Sequence, residues 1–422
     1  MHYRKPSNTH LRTSIHLLLF GLILSLAGCG DSVNNNHTTV QGSFLPWVSV
    51  ANSFNNTLGL RSDNTLWAWG SNQYGQLGFE KDPADTFPNV NTPVWINPTQ
   101  GLLGTWQEIS VGEFHFMALS GDGTLWTWGF NGNGQLGDGS TTNRINPIAV
   151  SSPILGQTWI SISAGAYHSL GLLSDGTLWG WGSNSDGQLG NGSGGMTNTP
   201  VTVSVAGVTG TKWVSMRTGI SHSLGLRDDG TLWAWGAGNN GQLGDGSNSG
   251  KSAPVAVSVT NVSGTQWTEI SVGSGIPSFS LGIRNDGTLW AWGEITAGLG
   301  DGINVQQNTP VQVSTTGVSG TKWISIASGA EHALGLRDDG TLWAWGGNTN
   351  GQLGTGSTIL QATPVKISSP TPRKWWGISG GGHHSMGMTS DGAMWGWGYN
   401  SEGQLGNGTF SPAHSPVKVI SP

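Results

Sequence analysis

The 422-residue chain has 17 lysine and arginine residues against 23 aspartate and glutamate residues, a formal net charge of −6 at pH 7. Nucleic-acid binding needs a basic surface that displaces counterions from phosphate, so this composition argues against nucleic acid as a partner. The chain has a single cysteine, Cys29, which excludes a disulfide within the monomer.

Residues 1–28 are predicted to form a lipoprotein signal peptide. Arg4, Lys5 and Arg12 precede an apolar stretch, Leu17 to Leu26, that is too short to span a membrane as a stable helix. The next residues, Leu26-Ala27-Gly28-Cys29, resemble a lipoprotein cleavage box. We therefore expect lipidation at Cys29; the alternative is a buried cysteine after an ordinary signal peptide.

Residues 29–46 are interpreted as the lipidated cysteine followed by a flexible tether, because Gly30 to Ser43 is rich in Asn, Thr, Ser and Gly. The chain is then expected to be exported and lipid-anchored in a bacterial cell envelope. Gly30 rather than an aspartate follows the cysteine, which favours the outer membrane. Cleavage would leave 14 basic and 23 acidic residues, a net charge of −9.

Residues 47–422 contain seven copies of one repeat. The string LWAWG or a close variant begins at Leu66, Leu125, Leu178, Leu232, Leu289, Leu342 and Met394, with spacings of 59, 53, 54, 57, 53 and 52 residues. A period of this length is typical of a β-propeller rather than of separate domains.

Each repeat contains four short segments rich in Val, Ile, Leu or Trp between Gly, Asn, Asp and Pro, which predicts four strands. An Asp-Gly pair such as Asp229-Gly230 predicts a tight hairpin between the third and fourth segments when counting starts at the proline strand. Neither face of the predicted strands is polar, so neighbouring sheets must cover both. The sequence therefore predicts an all-β, seven-bladed propeller of four-stranded blades.

The order of strands within a blade depends on which connection crosses between blades. Seventeen residues separate Gly236 from Pro254, whereas nine separate Val257 from Trp267. We assign the longer connection to the crossing, so that each blade begins at a proline strand. The C-terminal strand, Pro416 to Val419, should then join the first blade beside Trp47 to Val50 and close the ring.

Five histidines occupy the same strand position in different repeats, one per predicted blade: His115, His168, His222, His332 and His384. Residues spread around a ring in this way do not form a metal or catalytic cluster, so a structural role is favoured. No serine, histidine and acid order stands apart from the repeat, and the Asp-Gly strings lack EF-hand spacing. We therefore expect no catalytic, cofactor-binding or metal-binding residues, no cofactor and no enzymatic activity.

Segments that depart from the repeat are the candidates for partner binding, because recognition residues are often found on loops of a rigid scaffold. The main insertion, Phe79 to Asn91, contributes the candidates Phe79, Asp82, Asp85 and Phe87. The fifth repeat is irregular at Ser274 to Ser280 and at Glu294 to Gly300, and it contributes Ile276, Glu294 and Ile295. A solvated loop without function remains the alternative for both segments.

The combination GxxHSLxLxxDGxLWxWGxNxxGQLGxG resembles the repeats of the regulator of chromosome condensation family, and the resemblance covers Trp47 to Val419. It implies a seven-bladed propeller. Departures are Asn56 and Phe279 at the histidine position, Asn64 at the turn glycine, and AGLG from Ala297 in place of GQLG. The family includes a nucleotide exchange factor for a nuclear GTPase, a plant ultraviolet photoreceptor and a secreted bacterial inhibitor of β-lactamase.

Three functions of different classes follow from these observations. The preferred hypothesis is a non-enzymatic, envelope-anchored propeller that binds an unidentified protein partner as a scaffold or an inhibitor. The alternative is carbohydrate binding, because exposed tryptophan can stack on sugar rings. A regulator that acts by guanine nucleotide exchange is the third, and it would require an exported GTPase.

Overall fold

The computed structural model describes residues 45–79, 88–96, 105–204, 212–259, 266–294, 298–315 and 322–421. These ranges contain 28 strands in seven separate four-stranded antiparallel sheets. The predicted all-β propeller of seven four-stranded blades is confirmed. No helix in the described ranges is both long enough and apolar enough to cross a membrane.

The strands of a blade follow chain order from the central channel outwards. The innermost strands are β1 (Trp47–Asn52), β5 (Trp106–Val111), β9 (Trp159–Ala164), β13 (Trp213–Thr218), β17 (Trp267–Val272), β21 (Trp323–Ser328) and β25 (Trp375–Gly380). The second strands are β2 (Asn56–Arg61), β6 (His115–Ser120), β10 (His168–Leu173), β14 (His222–Arg227), β18 (Phe279–Arg284), β22 (His332–Arg337) and β26 (His384–Thr389).

The third strands carry the tryptophan pairs: β3 (Leu66–Gly70), β7 (Leu125–Gly129), β11 (Leu178–Gly182), β15 (Leu232–Gly236), β19 (Leu289–Gly293), β23 (Leu342–Gly346) and β27 (Met394–Gly398). The outermost strands carry the repeat proline: β4 (Val90–Trp95), β8 (Arg144–Val150), β12 (Thr197–Thr202), β16 (Lys251–Ala256), β20 (Gln307–Gln312), β24 (Gln361–Ile367) and β28 (Ala413–Lys418). Proline lacks an N–H group to offer a further strand, which suits an outer edge.

The turn between the second and third strands follows from its sequence. Asp229 accepts a hydrogen bond from the backbone N–H of Thr231 at 2.9 Å, and Gly230 has φ of +79°. Positive φ strains most residues other than glycine. In the first blade the same position is held by Asn64 with φ of 64°, a conformation that asparagine tolerates better than other side chains.

The predicted ring closure is wrong. Strand β28 pairs with β27 in the last blade, and β1 pairs with β2, so the C-terminal strand does not join the first blade. The longer connection joins β15 to β16 within one blade and does not cross between blades. Part of this connection packs against the next blade, where Gly246 N–H donates to the carbonyl of Asn308 in β20 at 2.9 Å. The shorter segment from Val257 to Trp267 makes the crossing instead.

The hydrophobic core lies between neighbouring blades. Leu224, Leu226 and Ala234 of the fourth blade form one buried cluster with Trp267 and Trp292 of the fifth. The two tryptophan rings have centroids 5.6 Å apart. A glycine in the second strand makes room for such a pair, because a Cβ added at Gly282 would lie 2.5 Å from Trp267. Tryptophan side chains of one blade therefore pack against Leu and Ala of the preceding blade and hold the two blades together.

Hydrogen bonds reinforce six of the seven junctions between blades. At each of them, a tryptophan Nε1 donates to the glutamine carbonyl in the GQLG loop of the preceding blade, as Trp235 does to Gln188 at 2.9 Å. The bond from Trp69 to Gln404 closes the ring between the last and first blades. In the described structure the fully buried Trp345 has no such partner, and Gly298 stands where the other loops have glutamine.

Candidate functional site

The repeat histidines are fully buried between blades. His222 Nε2 lies 2.9 Å from Oγ of Ser280 in the next blade, and Ser280 in turn donates to the carbonyl of Gln242. Equivalent contacts link His115 to Ser169, His168 to Ser223 and His332 to Ser385, while His384 contacts Asn52 and Thr57. Burial lowers the pKa of all five histidines to about 3, which keeps the rings neutral. This geometry gives them a structural role.

The two repeats without histidine also lack the serine in the following blade. Phe279 shares a buried cluster with Ala333, which replaces the serine at the next position around the ring. Phe116 occupies the serine position that follows Asn56, and it packs against Trp128 with ring centroids 5.7 Å apart. The histidine position and the serine position of the next repeat therefore change together, a relation between blades that repeat alignment alone did not suggest.

The candidates of the main insertion are only partly described. Phe79 is half-buried and packs against the core cluster shared by the first and second blades. Asp82, Asp85 and Phe87 lie outside the described residues, as do residues 80–87 in general. Asn91, the last residue of the proposed insertion, belongs to strand β4. Phe79 thus contributes to the packing of the propeller.

The candidates of the fifth repeat lie next to each other. Ile276 is 78% exposed in the turn between β17 and β18. Glu294 donates from its backbone N–H to the carbonyl of Ser278 in this turn at 3.0 Å, and its carboxylate accepts a hydrogen bond from Asn240 of the preceding blade. Ile295 lies outside the described residues. This patch belongs to the fifth blade and Phe79 to the first, so the candidates do not form one site.

Cys29, the predicted lipidation site, also lies outside the described residues. Among the described residues, no group of three or more His, Cys, Asp or Glu side chains is placed to hold a metal ion.

The structure reveals an aromatic cluster that the sequence reasoning missed. Antiparallel strand order places the turns between first and second strands and the loops after third strands on one face, here called the loop face. On this face Tyr74 contacts Phe114 and Phe130, with ring centroids 5.2 and 4.7 Å apart. Phe114 also contacts Tyr167 at 5.8 Å. These four half-buried side chains, named the aromatic arc, extend over the first three blades.

The signal for the aromatic arc was present at two repeat positions. The residue before the repeat histidine position is Phe114 in the second blade and Tyr167 in the third, but it is Ser221, Ser278 and Glu331 in blades four to six. The residue after the LWxWG string is Phe130 in the second blade and Ala237, Glu294 and Gly347 in blades four to six. Comparison of these positions across the repeats, rather than a search for insertions, would have found the cluster.

The inner strands line the central channel, where two glutamates join adjacent blades. Glu108 accepts a hydrogen bond from Ser161 at 3.1 Å, and Glu269 accepts hydrogen bonds from Ser325 at 2.9 Å and from the backbone N–H of Ile326 at 3.1 Å. Burial raises the pKa of Glu108 to about 7, although Arg217 acts in the opposite direction. These two carboxylates are engaged in structural contacts within the channel.

The fold defines a seven-bladed propeller built from a single repeat. A family model described as an RCC1-like domain matches residues 27–277, and the model of the regulator of chromosome condensation (RCC1) repeat matches residues 286–336, 339–388 and 391–422. The chain belongs to the RCC1 repeat family.

Two curated relatives illustrate the range of this family. The human E3 ubiquitin-protein ligase HERC2 is 28% identical over 370 residues, which are 86% of this chain and 7% of the relative. The ultraviolet-B receptor UVR8 of Arabidopsis thaliana is 31% identical over 318 residues, 74% of this chain and 70% of the receptor. The chain therefore spans a small part of HERC2 and most of UVR8.

Among solved structures, Prp20p from Saccharomyces cerevisiae superposes with a TM-score of 0.72 at 20% sequence identity, covering 89% of this chain and 88% of Prp20p. At this identity the similarity shows the fold alone.

Proposed function

We propose that the chain is a non-enzymatic, envelope-anchored propeller that binds another protein through the aromatic arc on its loop face. The anchor is the lipidated Cys29 expected from the sequence. Protein binding agrees with the family, in which Prp20p is described as binding Gsp1p and histones. The family includes unlike functions on one fold, so the partner of this chain is to be identified by experiment rather than transferred from a relative.

The aromatic arc is the observation that carries this proposal. At the positions of Phe114, Tyr167 and Phe130, blades four to six have Ser, Glu, Ala or Gly, so the repeat fold does not require aromatic residues there. Half-buried phenylalanine and tyrosine side chains offer large, rigid contact area at a small loss of conformational entropy, and aromatic residues are enriched at protein interfaces. A rigid propeller holds them in place before binding.

The test is partner capture by the full-length protein in its host, with chemical crosslinking. The variant Phe114→Ser with Phe130→Ser introduces the residues that the chain itself has at equivalent positions, Ser221 and Ser183. We expect this variant to lose most of the crosslinked partner while its thermal unfolding curve changes little. The matched control, Ser221→Ala, should retain full capture.

Two results would count against protein binding through the arc. Capture that is unchanged in the double variant would exclude the arc as the binding surface. Specific signals on a glycan array, together with the absence of any protein whose capture depends on the arc, would favour the carbohydrate-binding alternative, because aromatic faces also stack on sugar rings.

A further inference from the structure

The mouth of the central channel on the loop face forms a small cavity of about 80 Å³, lined by residues from all seven blades. A water molecule needs about 10–15 Å³ measured in this way, so the cavity takes a group of several heavy atoms. Phe54 and Glu113 lie in its wall. The cavity therefore adjoins the aromatic arc, since Glu113 immediately precedes Phe114 in the turn between β5 and β6.

Two residues that line this cavity each carry a buried side-chain oxygen without a hydrogen-bond partner within the described structure. Asn52 is 8% exposed, and its side-chain N–H group contacts His384, but its Oδ1 accepts no hydrogen bond. Ser274 Oγ is likewise buried without a partner. Buried polar groups are nearly always paired, so these two oxygens are available to accept hydrogen bonds from a ligand that brings donors.

Glu113 differs from the two other glutamates of the channel. Glu108 and Glu269 accept hydrogen bonds from the adjacent blade, whereas no hydrogen bond or ion pair among the described residues reaches the carboxylate of Glu113. Burial alone raises the pKa of Glu113 to about 7. A partly buried carboxylate without a counter-charge attracts a cation more strongly than a carboxylate in water does, because the effective dielectric constant is lower.

Two aromatic residues lie near Glu113 at the mouth of the channel. Phe54 lies in the cavity wall, and its ring centroid is 6.2 Å from that of His383. Burial and, to a smaller extent, the charge of nearby Glu113 raise the pKa of the Tyr167 phenol. The faces of such rings attract organic cations within about 6 Å. A guanidinium has five N–H donors in one plane, and it can therefore serve a carboxylate, an amide oxygen and a hydroxyl at the same time.

We propose that the mouth of the channel is a subsite for an arginine side chain of the partner protein, with Glu113 as its counter-charge and Asn52 and Ser274 as hydrogen-bond acceptors. This inference deepens the proposed protein binding and rests on it for the source of the arginine. The aromatic arc would then hold the surrounding partner surface while the arginine enters the channel.

The test uses the full chain and a blocked tripeptide, acetyl-Gly-Arg-Gly-amide, with the neutral citrulline analogue as the comparison probe. Binding is followed by NMR saturation transfer at about pH 8.5, above the pKa of about 7 of Glu113. We expect the arginine peptide to bind at least about tenfold more tightly than the citrulline peptide, because the guanidinium charge is retained only in the former.

Variants identify the residues responsible. Glu113→Gln should abolish the preference for arginine, and Ser274→Ala should weaken binding of the arginine peptide several-fold. Glu331→Gln removes the carboxylate from the corresponding turn of the sixth blade and should leave the preference unchanged. Unchanged unfolding temperatures would show that each variant remains folded.

The subsite is overturned if the two peptides bind equally, if neither binds, or if Glu113→Gln retains the preference. In those cases capture of a partner through Phe114 and Phe130 would still support protein binding by the aromatic arc. Conversely, an arginine preference that depends on Glu113, in a protein that captures no partner through the arc, would support the subsite and contradict the proposed function.

Discussion

Each repeat histidine joins two blades through side-chain contacts, and the energetic value of these contacts depends on the residues that face the ring. His222 faces Ser280, whereas the chain places Phe279 in a cluster with Ala333 at the next junction. The two pairs occupy equivalent positions at consecutive junctions, and one forms a hydrogen bond while the other packs through apolar contacts. The two solutions are alternatives, and mixing them leaves either a lost hydrogen bond or excess volume.

This relation predicts a double-mutant cycle. His222→Phe alone should lower the free energy of unfolding by about 1–3 kcal/mol, because the larger ring meets the serine hydroxyl. Addition of Ser280→Ala should recover at least about 1 kcal/mol of that loss, since it copies the pair at the next junction. Denaturant unfolding measures all three variants against the wild type, and strictly additive effects would contradict the coupling.

The histidines also make stability depend on pH. Burial lowers the pKa of His222 from 6.5 to about 3 in the folded protein, so below pH 6.5 the unfolded chain takes up a proton that the folded protein does not. Stability is therefore lost as pH falls below 6.5. Glu108 and Glu113, whose pKa values are raised to about 7, act in the opposite direction as pH falls through 7, but the histidines outnumber them.

Comparison with the double variant isolates one histidine. Between about pH 8 and about pH 5 the wild type should lose about 2 kcal/mol more stability than His222→Phe with Ser280→Ala, which has one buried histidine fewer. Urea unfolding at both pH values measures this difference. Equal losses in the two proteins would show that the pKa of His222 is the same in the folded protein as in the unfolded chain.

At the scale of the element, the proline strand serves as the outer edge of each blade, and the innermost strand contacts its neighbours around the channel. The last blade follows the same order as the others, so the ring is closed by packing and by the bond from Trp69 to Gln404 rather than by a shared sheet. The loss of strand pairing on removal of β28 should therefore be confined to its own sheet, while Val419, which follows β28, packs against Trp47 and Trp69 of the first blade.

Deletion of residues 413–422 tests this order. Removal of β28 leaves the backbone N–H groups of β27 without their partners, so their hydrogen exchange should accelerate and the unfolding temperature should fall. Exchange in β1 should change much less, because β1 pairs with β2 alone. Greater loss of protection in β1 than in β27 would indicate a sheet shared between the ends of the chain.

The insertion after the first GQLG loop is not only a surface loop, because both of its ends belong to the folded propeller. If Phe79 to Asn91 were only a surface loop, a short Gly-Ser linker could replace it with little loss of stability. The segment, however, begins with a side chain packed against the core and ends within β4. A test of recognition by this loop should therefore keep Phe79 and Val90 and alter only residues 80–87.

At the scale of the whole molecule, the proposed function divides the chain into an anchor and a binding surface. The anchor depends on Cys29 and the tether of residues 29–46, and binding depends on the loop face of the propeller. These parts can be tested separately because the proposed lipidation site, Cys29, precedes the propeller in the sequence.

Metabolic labelling with a palmitate analogue should mark the full-length wild type. Cys29→Ser should abolish the label and move the protein from the membrane fraction to the soluble fraction, because the chain has no other cysteine for lipid attachment. The unfolding temperature of the propeller should stay the same in both proteins. Persistence of the label in the variant would exclude Cys29 as its site.

The number of blades, the number of strands in each blade and the hairpin at each Asp-Gly pair could be predicted from the sequence. These features depend on local residue pattern and on a period repeated seven times, so a single chain supplies its own alignment. The structural role of the histidines was also accessible, since one histidine per repeat cannot form a cluster on a ring.

The boundary of each blade, the pairing of His222 with Ser280 and the aromatic arc required the tertiary structure. Loop length misassigned the crossing because hydrogen bonds to the next blade use part of the longer loop. The histidine and serine are 58 residues apart, and the rings of Tyr74 and Phe114 come from different blades. Contacts of this kind depend on how consecutive blades pack, which the repeat pattern of a single blade does not contain.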